Sequence, residues 1–172
     1  MIYTKTTRTG DISAAMPLEE VKRALGIFDN EDDEEIQSII FAAFELAETY
    51  CYQKFTEAEA VAVRDDAVTG FFLPYSQNVN ITEVKVDGSV TSNYSYNSVS
   101  KKFKLNGVST YSELEISYTC GFSKPPSAID RGIKFLVSTI LNSGQDFVSG
   151  MDVTELPLRA VHLLDSEKTY VV

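Results

Sequence analysis

The sequence predicts an α+β protein: a small bundle of three to four helices, an inserted antiparallel β-hairpin or sheet region, and extended arms at both ends. Three observations carry this. Apolar residues recur at helical spacing in two blocks, residues 13–57 and 125–165. Between them, residues 58–122 hold short β-prone runs punctuated by Asp87-Gly88 and Asn106-Gly107, both hairpin turn signals. The ends differ from either block: residues 1–12 are rich in Thr and Arg, and residues 166–172 finish on "TYVV". No repeat or long linker divides the chain, so residues 1–172 read as one domain.

Each element has its own signal. Residues 1–12, with only Ile2, Tyr3 and Ile12 apolar, predict an arm that orders when a neighbour holds it. "MPLEEVKRALGI" predicts a short helix: Pro17 at its first position, Glu19 and Glu20 at its positive end, Gly26 as its stop, and Leu18, Val21 and Leu25 as its apolar stripe. The longest helix follows, capped by Asp29 or Asn30 and running to Phe55. Its buried stripe is Ile36, Ile39, Ile40, Ala43, Phe44 and Ala47, and Phe41 lies off it, facing a second contact. Strands are expected at "AEAVAV", "GFFLPY", "NITEVKVDG", "NYSYN", "KKFKLNG" and "ELEISY".

In the last strand Leu114, Ile116 and Tyr118 alternate with Glu115, Ser117 and Thr119. Gly121 suits a turn with positive φ, and Pro125 and Pro126 hold the preceding residues out of the helical region. This joint launches a helix over 127–142, with Ser127 and Asp130 spaced as a loose capping box and Ile129, Ile133, Leu136, Val137, Ile140 and Leu141 as its stripe. Pro157 opens a last helix carrying Leu158, Val161 and Leu164.

Composition excludes several classes. With 172 residues and 44% apolar content, the chain buries a real core and is not a disordered polymer. No apolar run approaches the roughly 20 residues that span a bilayer, and the N-terminus is too polar for a signal peptide, so a soluble protein made in a cytoplasm is expected. Cys51 and Cys120, the only cysteines, read as reduced core residues. A net charge of −10 opposes binding through clustered cations to DNA phosphates. It does not exclude a protein that lets DNA slide past without sticking, since a ring of such subunits would multiply the charge and repel a DNA rod from its wall.

No catalytic, metal or cofactor site is expected. His162, the single histidine, has no Cys or carboxylate at matching spacing and lies in a Leu-rich segment. Asp29, Glu31 and Asp33 alternate as in a calcium loop, but Glu34 and Ile40 stand where that loop requires Gly and Glu. Glu31, Asp32, Asp33, Glu34 and Glu35 read instead as a charged helix start facing solvent or a channel. The apolar tail Thr169, Tyr170, Val171 and Val172 has two readings: a strand added to another subunit's sheet edge, or an edge strand or frayed end of its own chain.

Taken in order, these segments resemble the head–tail connector (adaptor, or head-completion) proteins of long-tailed double-stranded DNA bacteriophages. The resemblance rests on Leu18–Ile27, the acidic turn Asp29–Glu35, and the helix Ile36–Phe55 with its aromatic end. It continues through Leu73-Pro74 and the strand Ile81–Val86, then through Tyr118, Thr119, Gly121, Phe122, Pro125 and Pro126. It closes on Leu156, Pro157, Leu163 and Leu164. The chain departs from the family pattern at Asn142–Asp146, where an aromatic–Asn–Arg–Glu cluster is usual, and at "SEKTYVV".

The resemblance implies a structural virion protein without enzymatic activity. About a dozen copies would form a ring between the portal of the DNA-filled head and a stopper or tail-completion protein, extending a channel that DNA crosses without sequence-specific binding. It implies assembly in the host cytoplasm and no membrane partner. A tail-terminator or stopper ring is the alternative within phage biology, and an acidic DNA-mimic inhibitor the alternative outside it.

Overall fold

The structure is a computed structural model that describes residues 1–108, 110–143 and 156–168. The chain forms two compact units. The first takes Met1–Gly10 and Lys54–Ser123; the second takes Asp11–Gln53 and the described residues from Lys124 onward. The fold is α+β, with five α-helices and eight strands among the described residues.

The sheet unit has two antiparallel sheets. The first contains β1 (Ile2–Arg8), β2 (Ala58–Arg64), β4 (Asn80–Val86), β5 (Ser89–Val90) and β8 (Leu114–Cys120), in the order β1-β2-β8-β4-β5. The second contains β3 (Gly70–Phe72), β6 (Tyr94–Asn97) and β7 (Lys102–Leu105), in the order β3-β7-β6. β8 sits in the centre, paired with β2 from Ala58↔Cys120 to Arg64↔Leu114 and with β4 across a bulge between Ile81 and Glu83. Leu114, Ile116, Tyr118 and Cys120 face inward, as the two-residue period requires, onto Ala58, Ala60 and Ala62 of β2 and onto Phe103 and Leu105 of β7.

The N-terminal segment is not a free arm. β1 pairs with β2 in unbroken register from Ile2↔Arg64 to Arg8↔Ala58 and forms one edge of the larger sheet. The two turn signals also part company. Asp87 (φ 49°) and Gly88 (φ 78°) both take the left-handed conformation of a type I′ turn and join β4 to β5. Gly107 has positive φ as well, but β7 and β8 lie in different sheets, so no hairpin forms there. The second hairpin is instead β6–β7, whose turn is held by Asn97 Oδ1 accepting from Val99 N–H and Ser100 N–H at 2.9 Å each.

The helical unit comprises α1 (Ile12–Ala15), α2 (Leu18–Leu25), α3 (Asp33–Cys51), α4 (Ser127–Ser143) and α5 (Leu158–Leu164), ending in a 3-10 turn, Asp165–Glu167. Pro17 is the N-cap of α2 rather than its first helical residue, and Gly26 ends it at φ 75°. α3 starts at Asp33, later than the Asp29 or Asn30 cap expected, and stops at Cys51 rather than Phe55 because Tyr52 turns left-handed at φ 51°. All six stripe residues of α3 are buried, and Phe41 stays 38% exposed.

In α4, Ile129, Ile133, Leu136, Val137 and Ile140 are buried. Its first bond runs from Asp130 N–H to Pro126 O, so Ser127 is already helical, and the Asp130 carboxylate accepts from Lys134 in place of a capping box. α5 buries Ala160 and Leu164 with the preceding Leu156, while Leu158 is 71% exposed. Gly132 of α4 lets α5 approach: a Cβ there would lie 3.1 Å from Leu164 Cδ2.

Candidate assembly surfaces

Three surfaces were expected to carry function: the acidic start of α3, the strand-to-helix joint, and the tail. The acidic start is organised by Lys22. This residue of α2 is 2% exposed. Its ammonium donates to Asn30 Oδ1 at 2.7 Å and to Asp33 Oδ1 at 2.5 Å. A buried ammonium needs such partners to offset its desolvation. Asp33 is thereby turned toward α2, while Glu31, Asp32, Glu34 and Glu35 remain exposed. The sequence reading had all five acids at a helix start facing solvent or a channel; in the structure four are exposed, and Asp33 is half-buried and tethered to Lys22.

The joint divides between the units. Gly121 belongs to the sheet unit, at φ 96°, its N–H donating to Gln77 O and its carbonyl accepting from Asn78 Nδ2, both at 2.9 Å. The positive φ fits the sequence reading, but a closer constraint was not legible: a Cβ at Gly121 would stand 2.1 Å from the Thr56 carbonyl oxygen. Nearby, Tyr118 Oη donates to Pro74 O at 2.7 Å, and Phe122 packs against Phe55 with centroids 6.2 Å apart. Pro125 is buried and Pro126 opens α4, both in the helical unit. The tail, Thr169, Tyr170, Val171 and Val172, lies outside the described residues.

Cys51 and Cys120 are both free and buried. Burial pushes the Cys51 thiol up to about 12, and its S–H points at Leu164 O, 3.4 Å away. His162 is exposed on α5. Exposed apolar side chains include Phe28 (87%), Phe135 (42%) and Tyr52 (56%) in the helical unit and Val99 (89%), Val90 (68%) and Phe72 (57%) in the sheet unit. Those of the sheet unit lie on hairpins and an outer sheet face. Side chains of this kind are what association buries.

Charge is divided unequally. The sheet unit holds eight basic and eight acidic residues; the described residues of the helical unit hold seven basic and fourteen acidic. The sheet unit is therefore neutral and the helical unit carries the acidic excess.

A family model describing phage gp6-like head-tail connector proteins matches residues 15–119, from the end of α1 to β8. The chain belongs to this family. Its role is that of a structural connector, and the fold agrees over nearly the full length. A protein in the neck of an empty gene transfer agent particle, computed with C6 symmetry, aligns with TM-score 0.72 at 15% identity, covering 98% of the connector and 97% of that chain. The neck of the native particle, computed with C12 symmetry, gives the same values. A chain from the virion of the native gene transfer agent particle aligns with TM-score 0.69 at 13% identity, over 97% and 96% of the two chains. No curated protein matches the sequence.

Proposed function

We propose that the connector assembles as a homo-oligomeric ring of about a dozen copies in the neck of a phage-like particle, with the portal on one side and a stopper or tail-completion protein on the other. The observation that carries this is the family membership, and the near end-to-end match to neck proteins of particles computed with C6 and C12 symmetry supports it. Its work is geometric and electrostatic, with no bond chemistry. DNA passes through the ring without sequence-specific contact. Assembly takes place in the host cytoplasm, and the finished protein resides at the head–tail interface.

Within this reading, Glu31, Asp32, Glu34 and Glu35 form the acidic surface that each subunit brings to the ring, and Asp33 is held on Lys22. The joint at Gly121, Pro125 and Pro126 restricts the chain between strand and helix so that every copy is alike. The tail, Thr169 to Val172, grips the portal or a neighbouring copy. The test is the mass of the purified chain across a concentration series, alone and with portal protein. A ring, or a monomer that becomes a ring on the portal, is the expected result. A monomer indifferent to the portal overturns the reading.

A further inference from the structure

The outward face of the three-stranded sheet is basic in an acidic protein. Register places Phe72, Lys102 and Asn97 in one row across β3, β7 and β6, and Gly70, Lys104 and Ser95 in the next. The alternate residues Phe71, Phe103 and Leu105 point into the core, with the Phe71 and Phe103 rings 5.4 Å apart. Lys102, Lys104, Ser95, Asn97 and Phe72 are exposed. The stem of Lys102 lies beside Gly70, with Cε 3.3 Å from where a Cβ would be. No carboxylate stands on these strands, and residues 88–112 contain Lys101, Lys102 and Lys104 with no Asp or Glu. Three other lysines are paired with carboxylates within the chain: Lys85 between Glu83 and Glu115, Lys134 between Glu20 and Asp130, Lys22 on Asp33. Lys102 and Lys104 have no such partner among the described residues.

We propose that this sheet face is a docking surface for the acidic start of α3 in a second copy of the chain, with Lys102 and Lys104 of one subunit paired to Glu31 and Glu34 of the next. The proposal rests on the ring reading above and names a contact that builds the ring. Charge complementarity selects the occupant: the only net negative unit of the chain is the helical one, and its exposed acids crowd at the start of α3. Glu31 lies in the turn before α3 and Glu34 in its first turn, both exposed, and the two lysines alternate along β7, projecting about 7 Å apart. Phe72 supplies an apolar anchor, and Ser95 and Asn97 supply hydrogen bonds at the rim. Basic and acidic patches belong to different units, so the contact joins two unlike surfaces. Such a contact can repeat head to tail from copy to copy, as a ring requires. Asp32 and Glu35 stay at the ring surface, and Asp33 stays on Lys22. DNA phosphate is the competing partner for a lysine face, but two lysines on a chain of net charge −10 make a weak phosphate site.

Charge reversal tests this. Lys102→Glu/Lys104→Glu and Glu31→Lys/Glu34→Lys are made separately, with circular dichroism to confirm folding, since all four positions are exposed. Sedimentation then gives the concentration needed for assembly, with portal present if the wild type requires it. Each variant alone is expected to need at least tenfold more protein. An equimolar mixture of the two is expected to assemble again, because each supplies the complement of the other. Reversals that leave wild-type assembly unchanged, or a mixture that fails to recover it, overturn the proposal. So does a Lys102→Glu/Lys104→Glu ring that forms normally but retains DNA less well at low salt, which reassigns the face to phosphate. A wild type that stays monomeric overturns the ring reading, and this contact with it.

Discussion

At the scale of single residues, the structure turns two sequence features into constraints. Gly121 was readable as a turn glycine; the Thr56 carbonyl 2.1 Å from its would-be Cβ makes any side chain intolerable. Gly121→Ala is expected to lose at least about 3 kcal/mol of stability, from a left-handed alanine and a backbone clash together. Urea unfolding measures it, and a loss below 1 kcal/mol would show that the strand end yields. Cys51 is the second case. Below about pH 9 its thiol is neutral in both folded and unfolded chains and has no effect on stability. Above that the unfolded chain releases the proton while the folded chain holds it up to about 12, so stability falls over this window. At pH 8 its alkylation is expected to be more than a hundredfold slower in the native protein than in urea, with peptide mapping to separate it from Cys120. Equal rates would show that burial does not protect the thiol. Sequence showed the residue to be apolar in pattern; it did not show the Leu164 carbonyl above it, which arrives from 113 positions away.

At the scale of elements, strong periodicity was legible and weak periodicity was not. β8 and α4 each bury a regular apolar stripe, and both lie where the pattern put them. β1 was misread because its half-buried face is Ile2, Thr4, Thr6 and Arg8, only one of them apolar, and its partner strand starts at Ala58. What holds such a strand is backbone pairing, which leaves little trace in composition. The buried face of α5 was not legible because its contact is made by small groups: Ala160 is fully buried and Gly132 opens the space for Leu164. A large side chain at that glycine should expel the helix. Gly132→Phe is expected to undock α5 and remove the protection of Cys51, raising its alkylation rate tenfold or more while the strand signal in circular dichroism persists. An unchanged rate would mean that α5 is not the cover. The lysine face of β7 was half legible: "KFKL" announced a strand with lysines outward, but nothing local showed which strands flank them.

At the scale of the whole molecule, the chain's order and its charge tell different stories. Composition reported −10 for the chain, and only the division into units shows that the sheet unit is neutral and the helical unit carries the acidic excess. That division follows from long-range pairing, which residue counts do not contain. The tail makes the matching prediction. Deleting Thr169–Val172 is expected to abolish docking to the portal or to neighbouring copies and to leave the monomer's urea midpoint unchanged. Normal docking by the truncated chain, seen by sedimentation, would remove the tail from the assembly contacts.

The central position of β8 has a consequence for synthesis. β1 and β2 can pair as soon as Arg64 leaves the ribosome, yet the strand that must lie beside β2 is completed only at Cys120. At about 5–20 residues per second, β2 waits roughly 3–11 s with one edge bare. During that interval the nascent chain offers an unpaired strand to whatever is near, including other nascent copies on the same message. A protein destined for a multi-copy structure therefore passes, in every copy, through a short period when the wrong kind of association competes with the right one. The alanines of β2, which give that strand a thin inner face, leave little apolar surface for such an encounter to hold.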